Sequence, residues 1–159
     1  MSGAPRRLIA DAMLGKLARW LRTLGYDCAF EPDITDDDLI KRAVEEGREI
    51  LTRDTLLIQR RAVRGRAIFI ESDLVVDQLK ELSKRFEINA AGFLTRCLRC
   101  NIPLEPMNKE AARDKVPPYV FATQERFSVC TGCSRIYWGG THKARMIEAI
   151  ERMLKGIEG

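Results

Sequence analysis

The chain is short of the residues on which many enzymes depend. It has one histidine, His142, so no Ser-His or Cys-His pairing for nucleophilic catalysis is available, and a lone histidine is no basis for a general base. No glycine-rich loop of the P-loop or dinucleotide-binding kind occurs. A D-x-D phosphotransferase would need an acid where Met13 stands, and a receiver domain would need one at Ala12, beside Asp11. No apolar run approaches the ~18 residues of a membrane span, and no apolar signal region follows the basic opening Met1 to Arg7. These absences exclude a membrane-spanning protein and argue against a secreted one. The expected address is the cytoplasm, with no membrane partner.

What is present suits a globular protein. The 159 residues are 45% hydrophobic and 31% charged, without repeats or low-complexity tracts, enough for one ordinary domain with an appendage. Basic and acidic residues balance over 1–95, so the whole net charge of +4 lies in 96–159. A basic back half suits a polyanion, because phosphate contacts come from Lys and Arg, although a solvated surface is the plainer account.

Four of the five cysteines fall as two C-x-x-C pairs, Cys97/Cys100 and Cys130/Cys133, 29 residues apart. Each pair lets one tight turn aim two sulfurs at one ion, and two such turns complete a tetrahedral thiolate shell. A reducing cytosol disfavours disulfides, and a thioredoxin-like redox motif needs a single pair at a helix start. The expectation is structural zinc, closed by four sulfurs and doing no chemistry. Cys28, in Cys28-Ala29-Phe30, reads as a buried small apolar residue.

The periodicity predicts strands at 8–10, 28–30, 49–52 and 67–70. Helices are expected from Met13 to Gly25, from Thr35 to Gly47 with Leu39, Ile40, Ala43 and Val44 inward, and from Thr55 to about Arg61. Ser72 is expected to cap another helix, with Leu74, Val75, Leu79 and Leu82 inward, that runs to Phe86. Alternating strands and helices mean a parallel sheet with crossovers and helices on both faces. Asn89-Ala90-Ala91-Gly92 reads as a linker, and a closing helix is expected from Thr141 to Leu154.

Ligands of such sheets bind beyond the carboxyl ends of the strands. Asp11, Asp54 and Asp73 each follow a strand end, and Asp36, Asp37 and Asp38 open the intervening helix. Crowded carboxylates repel unless a cation offsets them, and hard oxygen donors select Mg²⁺ or Mn²⁺, which suits phosphodiester hydrolysis. Helix capping and the helix dipole explain Asp36, Asp37, Asp38 and Asp73 about as well. Lys16, Arg19 and Arg22, at three-residue steps, form either a solvated face or a phosphate-tracking strip. Arg53 could orient a carboxylate or contact phosphate. Tyr137 and Trp138 could stack bases while His142, Lys143 and Arg145 gather phosphate at a helix start, or the aromatics could pack on the metal module.

Taken together, Asp11-Ala-Met-Leu-Gly-Lys-Leu-Ala-Arg-Trp-Leu-Arg-Thr-Leu-Gly-Tyr-Asp27, Asp-Asp-Asp-Leu-Ile at 36–40, Ile-Leu-Thr-Arg-Asp at 50–54, both C-x-x-C pairs and Tyr-Trp-Gly-Gly-Thr-His at 137–142 resemble the mut-seven C-terminal ribonuclease domain. The resemblance spans residues 7 to 154. It implies a three-layer α/β PIN-like domain with a parallel sheet over 1–90, followed over 91–159 by a zinc ribbon and closing helix. It also implies metal-dependent RNA cleavage, with Asp11, Asp36 and Asp54 as Mg²⁺ or Mn²⁺ ligands and Asp37, Asp38 or Asp73 assisting. Lys16, Arg19, Arg22, Arg53, Trp138, His142, Lys143 and Arg145 would face the RNA. The alternatives are a non-catalytic RNA-binding module, associated with ribosome or tRNA, and a nuclease toxin.

Overall fold

A computed structural model describes residues 6–139 and 143–155. The chain divides into two compact units: one holds Tyr26–Ile88 with the segment ending at Arg22, the other Thr23–Gly25 with the segment from Asn89 onward. Among the described residues, no helix is long and apolar enough to cross a membrane.

The first unit is built on a parallel sheet of order β2-β1-β3-β4, from β1 (Arg7–Ala10), β2 (Asp27–Ala29), β3 (Glu49–Thr52) and β4 (Ala67–Phe69). Helix α1 (Gly15–Thr23) links β1 to β2, and α2 (Asp36–Glu46) carries the chain back past β1 to β3. The direction of travel across the sheet reverses at β1, so right-handed crossovers set α1 and α2 on opposite faces. On one face Ile9, Ala29 and Ile50 from the strands pack with Leu39 and Ala43 of α2 and with Leu57 and Val63. Leu8, Cys28 and Leu51, also fully buried, alternate to the other face. The parallel sheet, its helices and a C-terminal cluster of four cysteines match the expected mixed α/β fold with a ribbon.

Local chemistry sets the boundaries. Thr35 caps α2 by accepting from Asp38 N, and Gly47 ends it in the left-handed region at φ 65°. Arg48 is buried and ties three elements, donating to Leu8 O, Asp27 Oδ1 and Glu46 Oε1. The stretch expected as one helix from Thr55 forms two 3₁₀ turns, Leu57–Gln59 and Arg61–Val63.

The helix expected from Ser72 is shorter, α3 (Val75–Ser83), and Ser72 does not cap it. Instead Ser72 N and Glu71 N donate to the Glu81 carboxylate, and Ser72 O accepts from Gln78 Nε2, so the chain entering α3 is pinned to the helix that follows it. Leu74 and Val44, expected inside, are 67% and 51% exposed.

The second unit carries an antiparallel sheet of order β5-β6-β7: β5 (Glu105–Met107), β6 (Phe127–Val129) and β7 (Ile136–Trp138). Short helices α4 (Lys109–Ala112) and α5 (Pro118–Thr123) lie between β5 and β6, and their Ala112 and Val120 form a small core with Val116 and Phe127. Helix α6 (Lys143–Lys155) follows; the expected start at Thr141 lies outside the described residues. Asn89 to Gly92 is no bare linker. Ala90 and Phe93 are buried, and Leu94 N donates to Thr23 O. Gly25, at φ 92°, sits so close to Gly92 O that a Cβ there would approach to 2.5 Å, which requires glycine.

Candidate functional site

Reversal at β1 creates a crevice beyond the carboxyl ends of β1 and β3, the position where open α/β sheets bind ligands. Asp11 stands there. Its N–H continues the ladder by donating to Leu51 O, and its side chain is only 5% exposed. One carboxylate oxygen, Oδ1, accepts from Met13 N at 2.9 Å, which turns the chain before α1 can begin. The other, Oδ2, accepts from Thr52 Oγ1 at 2.5 Å and from Arg53 N at 3.0 Å.

Thr52 is fully buried, and its hydroxyl works in both directions: it donates to Asp11 and accepts from Asp54 N at 2.9 Å. Asp54 in turn accepts through Oδ1 from Leu56 N and Leu57 N, which starts the 3₁₀ turn. Among the described residues its Oδ2 takes no hydrogen bond. Asp11 and Asp54 are thus joined through one hydroxyl. Thr52 was not singled out from sequence, although it lies inside the quoted Ile-Leu-Thr-Arg-Asp motif.

The remaining acids are arranged by arginines. Arg60 donates to Asp37 Oδ1 at 2.7 Å and lies 3.9 Å from Asp36 Oδ2. Its protonated form is favoured chiefly by the Asp37 hydrogen bond, with the charges of Asp37, Asp36 and Asp54 adding to it against a small burial cost. Arg60 therefore faces two of the predicted acids, and no sequence signal marked it, because they lie 23 and 24 residues away. Asp38 contributes only its backbone N–H to the Thr35 cap. Asp73 is 82% exposed and pairs with Arg53, whose guanidinium also donates to Glu71 O. Arg53 Nε is buried without a partner.

These contacts join Asp11 to Asp54 and gather Asp36 and Asp37 around Arg60. Among the described residues they do not bring three acids to one metal-ready point. Asp11 and Asp54 offer the oxygen donors that suit a hard divalent cation, while Asp37 and Asp73 are paired with Arg60 and Arg53.

Of the predicted basic residues, Lys16 and Arg19 are exposed on α1, whereas Arg22 Nε donates to Cys28 O at 2.8 Å and ties the helix to β2. Arg145 is exposed on α6. His142 and the Lys143 side chain lie outside the described residues.

The cysteines of the second unit do converge. Sγ atoms of Cys97, Cys100, Cys130 and Cys133 all lie within 4.8 Å of one another, and among the described residues they are the only set of three or more His, Cys, Asp or Glu side chains placed to hold a metal. A tetrahedral zinc site with Zn–S bonds of ~2.3 Å has sulfur atoms about 3.8 Å apart. Cys97 and Cys133 stand at 3.8 Å, far beyond a disulfide bond, so the set fits a metal such as zinc.

Both turns are built alike. Cys97 N donates to Ile102 O and accepts back through Cys97 O from Asn101 N, just as Cys130 pairs with Arg135 and Ser134. Asn101 and Ser134, each four residues after the first cysteine, have φ of 60° and 64°. Backbone N–H groups of Cys100 and Gly132 donate at 3.3 Å to the Sγ of Cys97 and Cys130.

Tyr137 completes the shell from β7: its hydroxyl lies 3.3 Å from Cys97 Sγ and accepts from Leu98 N at 3.1 Å. Burial opposes a thiolate at Cys97, yet hydrogen bonds from Tyr137 and from the N–H groups of Cys100 and Arg99 outweigh it and lower its pKa to about 6. Burial, then the bond to Cys97, pushes Tyr137 up to about 12. Trp138 packs its ring against Phe127, 6.5 Å between centroids.

The family model described as the Mut7-C RNAse domain matches residues 6–150, nearly the whole chain. No curated protein and no solved structure matches.

Proposed function

The chain belongs to the Mut7-C RNAse domain family, and from that premise we propose that it is a metal-dependent ribonuclease that hydrolyses RNA phosphodiester bonds at the crevice beyond β1 and β3. The observation that supports this reading is the Thr52 hydroxyl, which donates to the Asp11 carboxylate and accepts from the Asp54 backbone N–H, so that the two acids neighbour each other beyond the carboxyl ends of β1 and β3. Asp11 and Asp54 would hold Mg²⁺ or Mn²⁺, joined by Asp36 once it leaves Arg60, with Asp37 and Asp73 assisting. When bound, the ion polarises the scissile phosphoryl oxygen and offsets the charge that builds there.

The protein's own share is positioning. Asp11 cannot swing, because three hydrogen bonds hold its carboxylate, and Asp54 is held through Oδ1 by Leu56 N and Leu57 N. The exposed Lys16 and Arg19, with Arg53 beside Asp73, would supply donors for the phosphate backbone. Arg22, Trp138, His142, Lys143 and Arg145 are the further candidates for that backbone or for its bases. The nuclease domain would be residues 1–90, and residues 91–159 would form a basic zinc ribbon with its helix. A reducing cytoplasm would keep the four cysteines as metal ligands.

A second reading, a non-catalytic RNA-binding module, is favoured by one observation: Arg60 and Arg53 already pair with Asp37 and Asp73. Cleavage of single-stranded and structured RNA in Mn²⁺ separates the two, run beside a chelator control and an Asp11→Asn/Asp54→Asn variant. A nuclease loses all metal-dependent cutting in the variant. RNA binding without cutting, equal in both proteins, selects the binding module.

A further inference from the structure

We propose that Tyr137 is a positioning residue of the four-cysteine metal centre, holding Cys97 as the anchoring thiolate rather than offering its ring to RNA bases. The argument rests on which atom can donate. Leu98 N–H points at the Tyr137 oxygen at 3.1 Å, so that oxygen acts as acceptor on this side. Its hydroxyl proton is then directed to the other near neighbour, Cys97 Sγ at 3.3 Å. A metal-bound cysteine has no proton and can only accept, which fixes the direction of the bond as O–H to S.

The two turns make the comparison internal. Cys97 and Cys130 each receive a backbone N–H from their own turn, from Cys100 and Gly132, at the same 3.3 Å. Cys97 alone, among the described residues, adds a side-chain hydroxyl, delivered 40 positions later in sequence by a strand that leaves the other turn. A four-thiolate shell around a divalent ion carries excess negative charge, and each donor to sulfur spreads part of it. With Cys100 and Cys133 half-exposed and Cys97 buried and doubly bonded, metal loss begins at the exposed sulfurs and Cys97 lets go last.

The test uses the full chain loaded with Zn²⁺, and separately with Co²⁺, as wild type and as Tyr137→Phe. Removing an outer hydrogen bond to a metal ligand costs 10- to 100-fold in metal affinity in comparable sites, and zinc release to a chromogenic chelator is expected to accelerate by about tenfold. The Co²⁺ form is expected to show its thiolate-to-metal charge-transfer band at lower energy, because a sulfur without the donor holds its electrons less tightly. Unchanged release and an unchanged band would overturn the proposal. So would a fall in RNA affinity in Tyr137→Phe with zinc release unaltered, since that assigns the ring to stacking.

A measurement without any variant covers the case in which Tyr137→Phe does not fold. In the ¹¹³Cd-loaded wild-type chain, the Tyr137 hydroxyl proton should exchange slowly and couple to cadmium through sulfur. A freely exchanging, uncoupled hydroxyl overturns the assignment.

Discussion

Thr52 shows what a single hydroxyl does at the crevice. It has no exposure, donates to Asp11 and accepts from Asp54 N, so both of its hydrogen-bonding capacities are used. Thr52→Val keeps the shape but leaves the Asp54 N–H and one Asp11 oxygen short of a partner, which costs about 1–3 kcal/mol by ordinary desolvation accounting. Thr52→Ser keeps the hydroxyl and should stay close to wild type, apart from the lost methyl. Chemical denaturation of the three proteins measures the difference, and Mn²⁺ titration reads whether the two carboxylates still act together. Equal stability of the valine and wild-type chains would show that the hydroxyl does not link them. The sequence alone placed Asp11 and Asp54 at strand ends, because a parallel strand is a short apolar run and the next residue is simply the next letter. It did not single out Thr52 or Arg60, since the Asp11 partner of Thr52 lies 41 residues away and the Asp37 partner of Arg60 lies 23 away.

At the scale of elements, legibility tracks the range of the interaction that ends the element. Helix α2 was readable because Thr35 and Gly47 cap it with groups three or four residues off. Helix α3 was misjudged at both ends. The groups that hold its entry, Glu81 and Gln78, belong to the helix itself and reach back nine and six residues, so a Ser before an apolar run gave a false cap. That arrangement makes a pH prediction. Burial penalises the Glu81 carboxylate, but hydrogen bonds from the Ser72 side chain and the N–H groups of Glu71 and Ser72, with Lys84 nearby, outweigh it and hold its pKa below the ordinary 4.5. A depressed carboxylate stabilises the fold fully above its unfolded value, and that contribution is lost as pH falls through the lower folded value. Melting of the wild type should therefore fall away below pH 4.5. Glu81→Gln should start lower, by about 1 kcal/mol at neutral pH, and show a shallower acid limb. Parallel limbs in the two proteins would mean that the Glu81 charge plays no part in pinning the chain entering α3.

At the scale of the whole molecule, two kinds of core hold the chain, and only one is large. The first unit buries Leu and Ile side chains from three of its four strands and from its helices, whereas the sheet of the second packs on a cluster of only Ala112, Val116, Val120 and Phe127. Apolar burial at ~25 cal/mol per Å² seldom offsets backbone entropy in a unit of that size, and small scaffolds of this kind need a staple. The four convergent sulfurs are the staple available. The C-x-x-C spacing gave it away in the sequence because each turn is local, even though the meeting of the two turns is not. Metal removal should then act as an unfolding reagent for residues 96–138. Of the two tryptophans, Trp138 lies on β7 beside Phe127, so a Trp20→Phe background leaves one reporter in the right place. Stripping the metal with a strong chelator at neutral pH should shift Trp138 emission to the red and abolish its near-ultraviolet dichroism, and added Zn²⁺ should restore both. Stripped protein that keeps the folded signal would mean that the small apolar core suffices. In that case the four cysteines would need a role other than holding the fold.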